Sequence, residues 1–299
     1  MMVNNKWRKL RVRIFTFILL MGMVTVSAWA QKPAYMLYKE NGKKVKYDKM
    51  VEAAKGADIV LFGEYHTNPI SHWLQIELTK ALYEAKGVDL VLGAEMFEAD
   101  NQLILDEYLT DLITETKFEE EARLWKNYKT DYKPLVLFAK ENDLAFIATN
   151  IPRRYANSVL KQGVAILDSL SEEAKAYIAP LPLEYDTSLN CYNQLIHGEG
   201  MGGHGSINMA DAQAIKDATM TYFMMQNWSS GKLFIHYNGA YHSDEFESMN
   251  WFLRKASPEL NIVTISTVTQ DDVSELEEEY QGKADFIICV PNSMTNTMR

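Results

Sequence analysis

Short apolar runs punctuate the chain. Asp58–Phe62, Val88–Leu92, Leu144–Ala148, Lys232–His236, Asn261–Ser266 and Phe286–Val290 each carry four or more neighbouring apolar side chains or close to it, bounded by glycine or polar residues. Runs of this length and composition predict strands buried on both faces. Between them the apolar positions change period. After Asn68-Pro69, the residues Ile70, Trp73, Leu74, Leu78, Ala81 and Leu82 recur at helical spacing, and Lys86-Gly87 supplies a stop. Asp48–Lys55, Ser171–Ala179, Met209–Asn227 and Glu245–Lys255 also read as helices, and Tyr35–Lys39 and Lys44–Asp48 as short strands around Asn41-Gly42. Strand, helix, strand within about 35 residues is a βαβ unit, so the strands at 58 and 88 are expected to run parallel. The pattern therefore predicts an α/β fold: a mostly parallel sheet flanked by helices.

Two stretches break the alternation. Residues 98–142 hold no strand-like run, and Asn101–Leu112, Lys117–Lys126 and Pro134–Asn142 read as amphipathic helices. They predict an all-helical insertion, with Trp125, Tyr128 and Tyr132 available to a pocket or to aromatic packing. Residues 185–208 are polar and contain His197-Gly198-Glu199-Gly200-Met201-Gly202-Gly203-His204-Gly205. So many glycines predict a loop, suited to a lid that carries two histidines.

The N-terminus adds a destination. Lys6, Arg8, Lys9, Arg11 and Arg13 precede the apolar segment Ile14–Val26, and Ala28-Trp29-Ala30 resembles a cleavage site. This predicts a signal peptide over residues 1–30, with residues 31–299 forming a single exported domain, periplasmic or secreted. No cysteine stands at the cleavage point, so the chain is not expected to be a lipoprotein. Without the five basic side chains of that segment, 25 basic residues face 40 acidic ones. A balance of −15 argues against nucleic acid as a partner. Cys191 lies in the polar stretch and Cys289 in an apolar run; export permits a disulfide, and a buried free thiol is the alternative for Cys289.

The candidate chemistry lies where the strands end, the position at which open α/β sheets hold ligands. The first apolar run leads into Gly63-Glu64-Tyr65-His66, the second into Gly93-Ala94-Glu95, the third into Asn150, Arg153 and Arg154, and the fourth into Gly239-Ala240-Tyr241-His242. Two readings share these residues. In a hydrolase, His66 acts as base or ligand, Glu64 and Glu95 orient it or bind a divalent metal, His242 supplies a second imidazole and Arg154 an oxyanion partner. In a haem-binding protein, Tyr65, Tyr241, His197 or His204 is the axial group, and Arg153 and Arg154 meet the propionates. Asn150 is a further ligand-binding candidate. Gln213 and Asp217, one helical turn apart, face one way.

Taken in order, Gly63-Glu64-Tyr65-His66, Gly93-Ala94-Glu95-Met96-Phe97, Trp125-Lys126-Asn127-Tyr128, Asp131–Leu135, Ile147–Ala156, Gln213, Asp217, Met220 and Gly239-Ala240-Tyr241-His242 resemble the ChaN-like family of exported iron-regulated proteins. That family is grouped with Tiki-type metalloproteases and erythromycin-esterase-like enzymes, which share paired Gly-x-x-His motifs and a carboxylate. The resemblance implies haem binding linked to iron uptake, with haem as the small-molecule ligand, an outer-membrane uptake partner and a homodimer as candidate assemblies. It also implies a hydrolase site by analogy with the wider group. One departure is local: the family's common closing Gly-Asn-Gly-His is Gly-Ala-Tyr-His here.

Overall fold

A computed structural model describes residues 32–198 and 204–298, so the proposed signal peptide falls outside the described residues. The chain divides into a leading unit, Met1–Ala34, and a body, Tyr35–Arg299. In the body the order is β1 (Met36–Lys39), α1 (Tyr47–Lys55), β2 (Ile59–Glu64), α2 (Pro69–Lys86), β3 (Leu90–Glu98), α3 (Gln102–Leu109), α4 (Glu115–Glu121), α5 (Lys133–Glu141), β4 (Phe146–Asn150), α6 (Arg153–Gln162), α7 (Glu172–Lys175), α8 (Asn190–His197), α9 (Ile207–Asn227), β5 (Leu233–Gly239), α10 (Met249–Ala256), β6 (Ile262–Gln270) and β7 (Phe286–Pro291).

The strands form one sheet in the order β1-β7-β6-β2-β5-β3-β4. Every pairing is parallel except β1 with β7. Strand alternation explains the continuous apolar runs. Val60 and Phe62 face a core shared with α1, α2 and α5, while Ile59 and Leu61 face another built with Met220 and Met224 of α9 and Met249 and Leu253 of α10. The sheet order matters most for function. Although β2 and β5 are far apart in sequence they pair directly, with Gly63 opposite Asn238 and Glu64 opposite Gly239, and β3 lies on the other side of β5. The two glycine–histidine motifs are thereby placed side by side.

Four expectations are corrected. Lys44–Asp48 is not a strand: Lys44 makes a single bridge to Tyr38, β1 spends its pairing on β7, and Tyr47 already starts α1. Ser171–Ala179 is helical only over Glu172–Lys175, ahead of Pro180. The expected helix over Lys117–Lys126 stops at Glu121, where Ala122 turns extended. The 185–208 stretch is not wholly a loop, because α8 occupies Asn190–His197. Cys191 and Tyr192 pack there on Ala210 and Ala214 of α9, an apolar contact that local composition understates. Residues 199–203 lie outside the described residues. The 98–142 region is helical as expected, with a π turn over Tyr128–Tyr132 between α4 and α5. Cys191 and Cys289 are both free and buried.

Candidate functional site

Glu64 closes β2 and is buried, which a carboxylate tolerates only with several donors. It has three. The Tyr132 hydroxyl donates to it at 2.6 Å, the Gln75 amide at 2.5 Å, and His66 Nδ1 lies at 2.9 Å. An imidazole that gives its Nδ1 proton to a carboxylate turns the lone pair of Nε2 outward. The His66 side chain is 41% exposed, and the Trp125 ring stands edge-on to it at 5.0 Å between centroids. The His66 carbonyl accepts from the Asn127 amide at 2.8 Å and lies 3.0 Å from His72 Nε2, so the turn after β2 is held at both backbone and side chain.

The second motif is arranged differently. His242 is buried between two carboxylates: Nδ1 lies 2.5 Å from Asp217 Oδ1 and Nε2 lies 3.3 Å from Glu95 Oε1. The Gln213 amide sits 3.0 Å from Nδ1, so Gln213 and Asp217 of α9 do face one way, onto His242. Glu95 lies within β3, where its other oxygen accepts the Gly239 N–H at 2.7 Å. Gly239 is the point at which the groups converge. A Cβ on it would lie 2.8 Å from Cε1 and Nε2 of His66 and 3.5 Å from Glu95 Oε2, so only glycine lets the His66 ring lie over this backbone.

The electrostatics follow the geometry. Burial alone would depress the His242 imidazole, but the Glu95 and Asp217 carboxylates reverse this and hold it up at about 10. Burial would likewise raise Glu95, and the His242 and His66 imidazoles with the Gly239 N–H hold it well below the usual carboxylate range. His66 is pulled down by burial and raised more strongly by Glu64 and Glu95, ending above its ordinary value. Both nitrogens of His242 thus face carboxylates that favour its protonated form, while burial pushes the Asp217 carboxyl up against the pull of His242 and Tyr192.

The remaining expected residues fall outside this cluster or take other roles. Asn150 is buried and donates to the Glu95 backbone carbonyl at 3.0 Å, which makes it a support for β3. Arg154 pairs its guanidinium with Asp100 at 2.6 Å and lies over the Tyr155 ring. Arg153 is exposed at the start of α6. The Tyr241 hydroxyl donates to the Cys191 carbonyl, so it is not a free axial group. His197 ends α8 and is exposed, as is His204, and neither contacts the cluster among the described residues. Tyr65 is 49% exposed, and its phenol makes no hydrogen bond among the described residues. The four residues first considered for a divalent metal are largely engaged with one another. Both nitrogens of His242 and Nδ1 of His66 are committed to carboxylates, and among the described residues no group of three or more His, Cys, Asp or Glu is arranged to hold an ion.

Some of the machinery was not singled out from the sequence. Gln75 and His72 are not among the residues that the strand ends single out. A signal did exist. Ser71, Gln75 and Thr79 form an i, i+4, i+8 polar stripe on the buried face of α2, and each reaches across to a polar partner: Ser71 to Thr267, Gln75 to Glu64, Thr79 to Tyr237.

With this geometry in hand, comparison with known proteins is informative. A family model described as haem-binding uptake, Tiki superfamily, ChaN, matches residues 50–253, which span the whole cluster. The chain belongs to the ChaN family. No curated protein matches it in sequence. Among solved structures, ChaN of Campylobacter jejuni, described with cofacial haem binding, superposes with a TM-score of 0.64 at 16% identity, covering 85% of this chain and 96% of that one. A Bacillus cereus protein gives 0.49 at 13% identity, covering 86% and 94%. An erythromycin esterase in its open conformation gives 0.48 at 11% identity, covering 86% and 97%. At such identity the ChaN likeness speaks for the fold.

Proposed function

We propose that the protein is an exported member of the ChaN family that binds haem in the service of iron uptake, taking its ligand at the mouth of the cleft. The observation that carries this reading is Tyr65, an exposed phenol with no hydrogen-bond partner among the described residues, which precedes His66 in the turn, whose ring meets Trp125 edge-on. A phenol can serve as an axial oxygen ligand to haem iron, the Trp125 and His66 rings, set edge-on to each other, offer aromatic surface, and Arg153 is exposed for a propionate. Bound haem would supply an iron centre; the chain's part is to present the phenol and shield one side. The Campylobacter jejuni relative binds haem cofacially. In this chain a cofacial arrangement would set two copies mouth to mouth, which is how a homodimer enters the reading. An outer-membrane uptake partner belongs to the same reading. Hemin titration of the purified protein tests it: a saturable shift of the Soret band is expected, weakened at least about tenfold by Tyr65→Phe, a loss of roughly 1.4 kcal/mol. Titration without saturable binding would overturn it.

A second reading is favoured by one observation. The buried Glu95, His242 and Asp217 have no task in ligating haem at the surface. They suit an ester or amide hydrolase in which His66 Nε2 takes a proton from water as the oxygen attacks the carbonyl carbon, and the proton then passes to the leaving group. Glu95 and His242 would fix the charge beneath the water. A screen of ester and peptide substrates tests this, and hydrolysis that persists undiminished in His66→Ala would remove the proposed base.

A further inference from the structure

The cluster has an extension that neither reading uses. Asp217 offers one oxygen to His242, and its other oxygen accepts the Tyr192 hydroxyl at 2.8 Å. Tyr192 belongs to α8, in the stretch whose composition predicted only a loop. Both Tyr192 and Asp217 are fully buried, and Tyr192 packs edge-on to Tyr185, whose own hydroxyl donates to Asp211 of α9 at 2.7 Å.

Helix α8 is docked firmly enough to transmit position. Its first backbone N–H groups, those of Asn190 and Cys191, donate to the Glu247 carboxylate at 3.0 and 2.7 Å, and the Asn190 amide donates to Glu245 at 3.0 Å. The carbonyl of Cys191 receives the Tyr241 hydroxyl, one residue before His242. At its other end, Ser206 N–H donates to the Leu195 carbonyl at 3.0 Å, tying α8 to the start of α9. The segment that holds Glu247 includes Glu245, Phe246 and Ser248 in left-handed backbone, at φ 59°, 58° and 51°. Non-glycine residues persist in that region only where the surroundings over-determine them.

We propose that Tyr192 is a positioning residue of the cleft: by fixing Asp217 it sets the placement of His242 and, through His242, of Glu95 beneath His66. The groups that face His242 are Glu95 from β3, Asp217 and Gln213 from α9, His236 from β5 and His66 from the turn after β2, while Tyr192 and Cys191 of α8 face Asp217. Among the described residues, the Tyr192 hydroxyl is the side-chain donor on the far oxygen of Asp217. An Asp217 relieved of this donor is free to rotate about its side chain, which loosens the short contact to His242. The inference concerns the geometry of the cleft and holds under either functional reading.

The test uses the full folded chain with labelled histidine. The His242 Nδ1 proton, held against a buried carboxylate, gives a downfield resonance, assigned by its loss in Asp217→Asn. Tyr192→Phe keeps the ring and removes only the hydroxyl. It is expected to move or broaden that resonance while circular dichroism stays unchanged. Glu247→Gln, which weakens the docking of α8 without touching Asp217, is expected to move it less in the same direction. A resonance unmoved in Tyr192→Phe would overturn the proposal. If that variant does not fold, an unmoved resonance in Glu247→Gln overturns it instead.

Discussion

The turn Gly63–His66 and the turn Gly239–His242 have the same Gly-x-x-His spacing and follow neighbouring strands. Their histidines have nonetheless become different chemical objects. His66 has one carboxylate partner on Nδ1, a side chain 41% exposed, and an Nε2 that lies over Gly239. His242 has two carboxylate partners, a side chain 7% exposed and no nitrogen to spare. The first can bind, or take a proton. The second is enclosed by carboxylates that favour its protonated form, and it in turn holds the Glu95 carboxyl down. The lesson is that a motif sets where an imidazole sits along the chain, and its neighbours from other elements set what it can do.

The sharpest way to break this contrast is to remove a partner of the buried His242. Asp217→Asn leaves His242 with Glu95 alone, and the unfolding free energy should fall by about 3–5 kcal/mol, the usual cost of splitting a buried pair. Urea unfolding measures it; a change below about 1 kcal/mol would mean that His242 is not a buried cation.

Gly239→Ala acts where the two turns meet. The new Cβ would strike the His66 ring at 2.8 Å, so the ring or the strand must shift. A loss of about 1–3 kcal/mol is expected, together with loss of ligand binding or turnover at the mouth. Wild-type behaviour in both assays would show that the ring is free to swing aside.

Stability against pH separates the histidines next. The folded His242 value of about 10 lies above its ordinary 6.5, so protonation favours the folded state. That stabilisation is complete below about pH 6.5 and is lost as pH rises through about 10. His66 contributes in the same sense, its folded value also being raised. Glu95 works the other way: held below 4.5, it stabilises above that pH and fails as pH falls through its folded value. Denaturant midpoints measured from pH 6 to 10 should therefore decline in the wild type. They should flatten in His242→Gln and keep most of their slope in His66→Gln. Equal slopes in the two variants would erase the distinction.

The smallest effects belong to the exposed side. His66→Ala should cost only about 1 kcal/mol, the net value of one hydrogen bond to Glu64, while reducing binding or turnover. Calorimetry beside the ligand assay would detect the mismatch.

Much of this was legible along the chain. Six apolar runs mark six of the seven strands, and the helical spacing after Asn68-Pro69 marks α2, whose cap is Asn68 itself. Period and polarity are local properties, and burial on both faces of a parallel sheet leaves a plain imprint on them. Glu64, His66, Glu95 and His242 also stood out, because charged groups at the ends of apolar runs need a reason to be there. Arg154 stood out equally well, and nothing local reveals that it pairs with Asp100. The α8 helix was hidden for a similar reason: its stability comes from Tyr192 and Cys191 packing on α9, with Glu247 at its N-terminus.

The sequence by itself determined that strands end in reactive residues, that two of those ends share one motif, and that a glycine precedes each histidine at the same distance. Only the tertiary structure decided that β2 and β5 pair directly, that Glu95 and Asp217 close on one histidine and not the other, and that Gly239 lies under the His66 ring. The reason is physical. Secondary structure follows from spacing within a few residues, whereas the charge and openness of a side chain depend on whatever distant groups share its few ångströms of low-dielectric space.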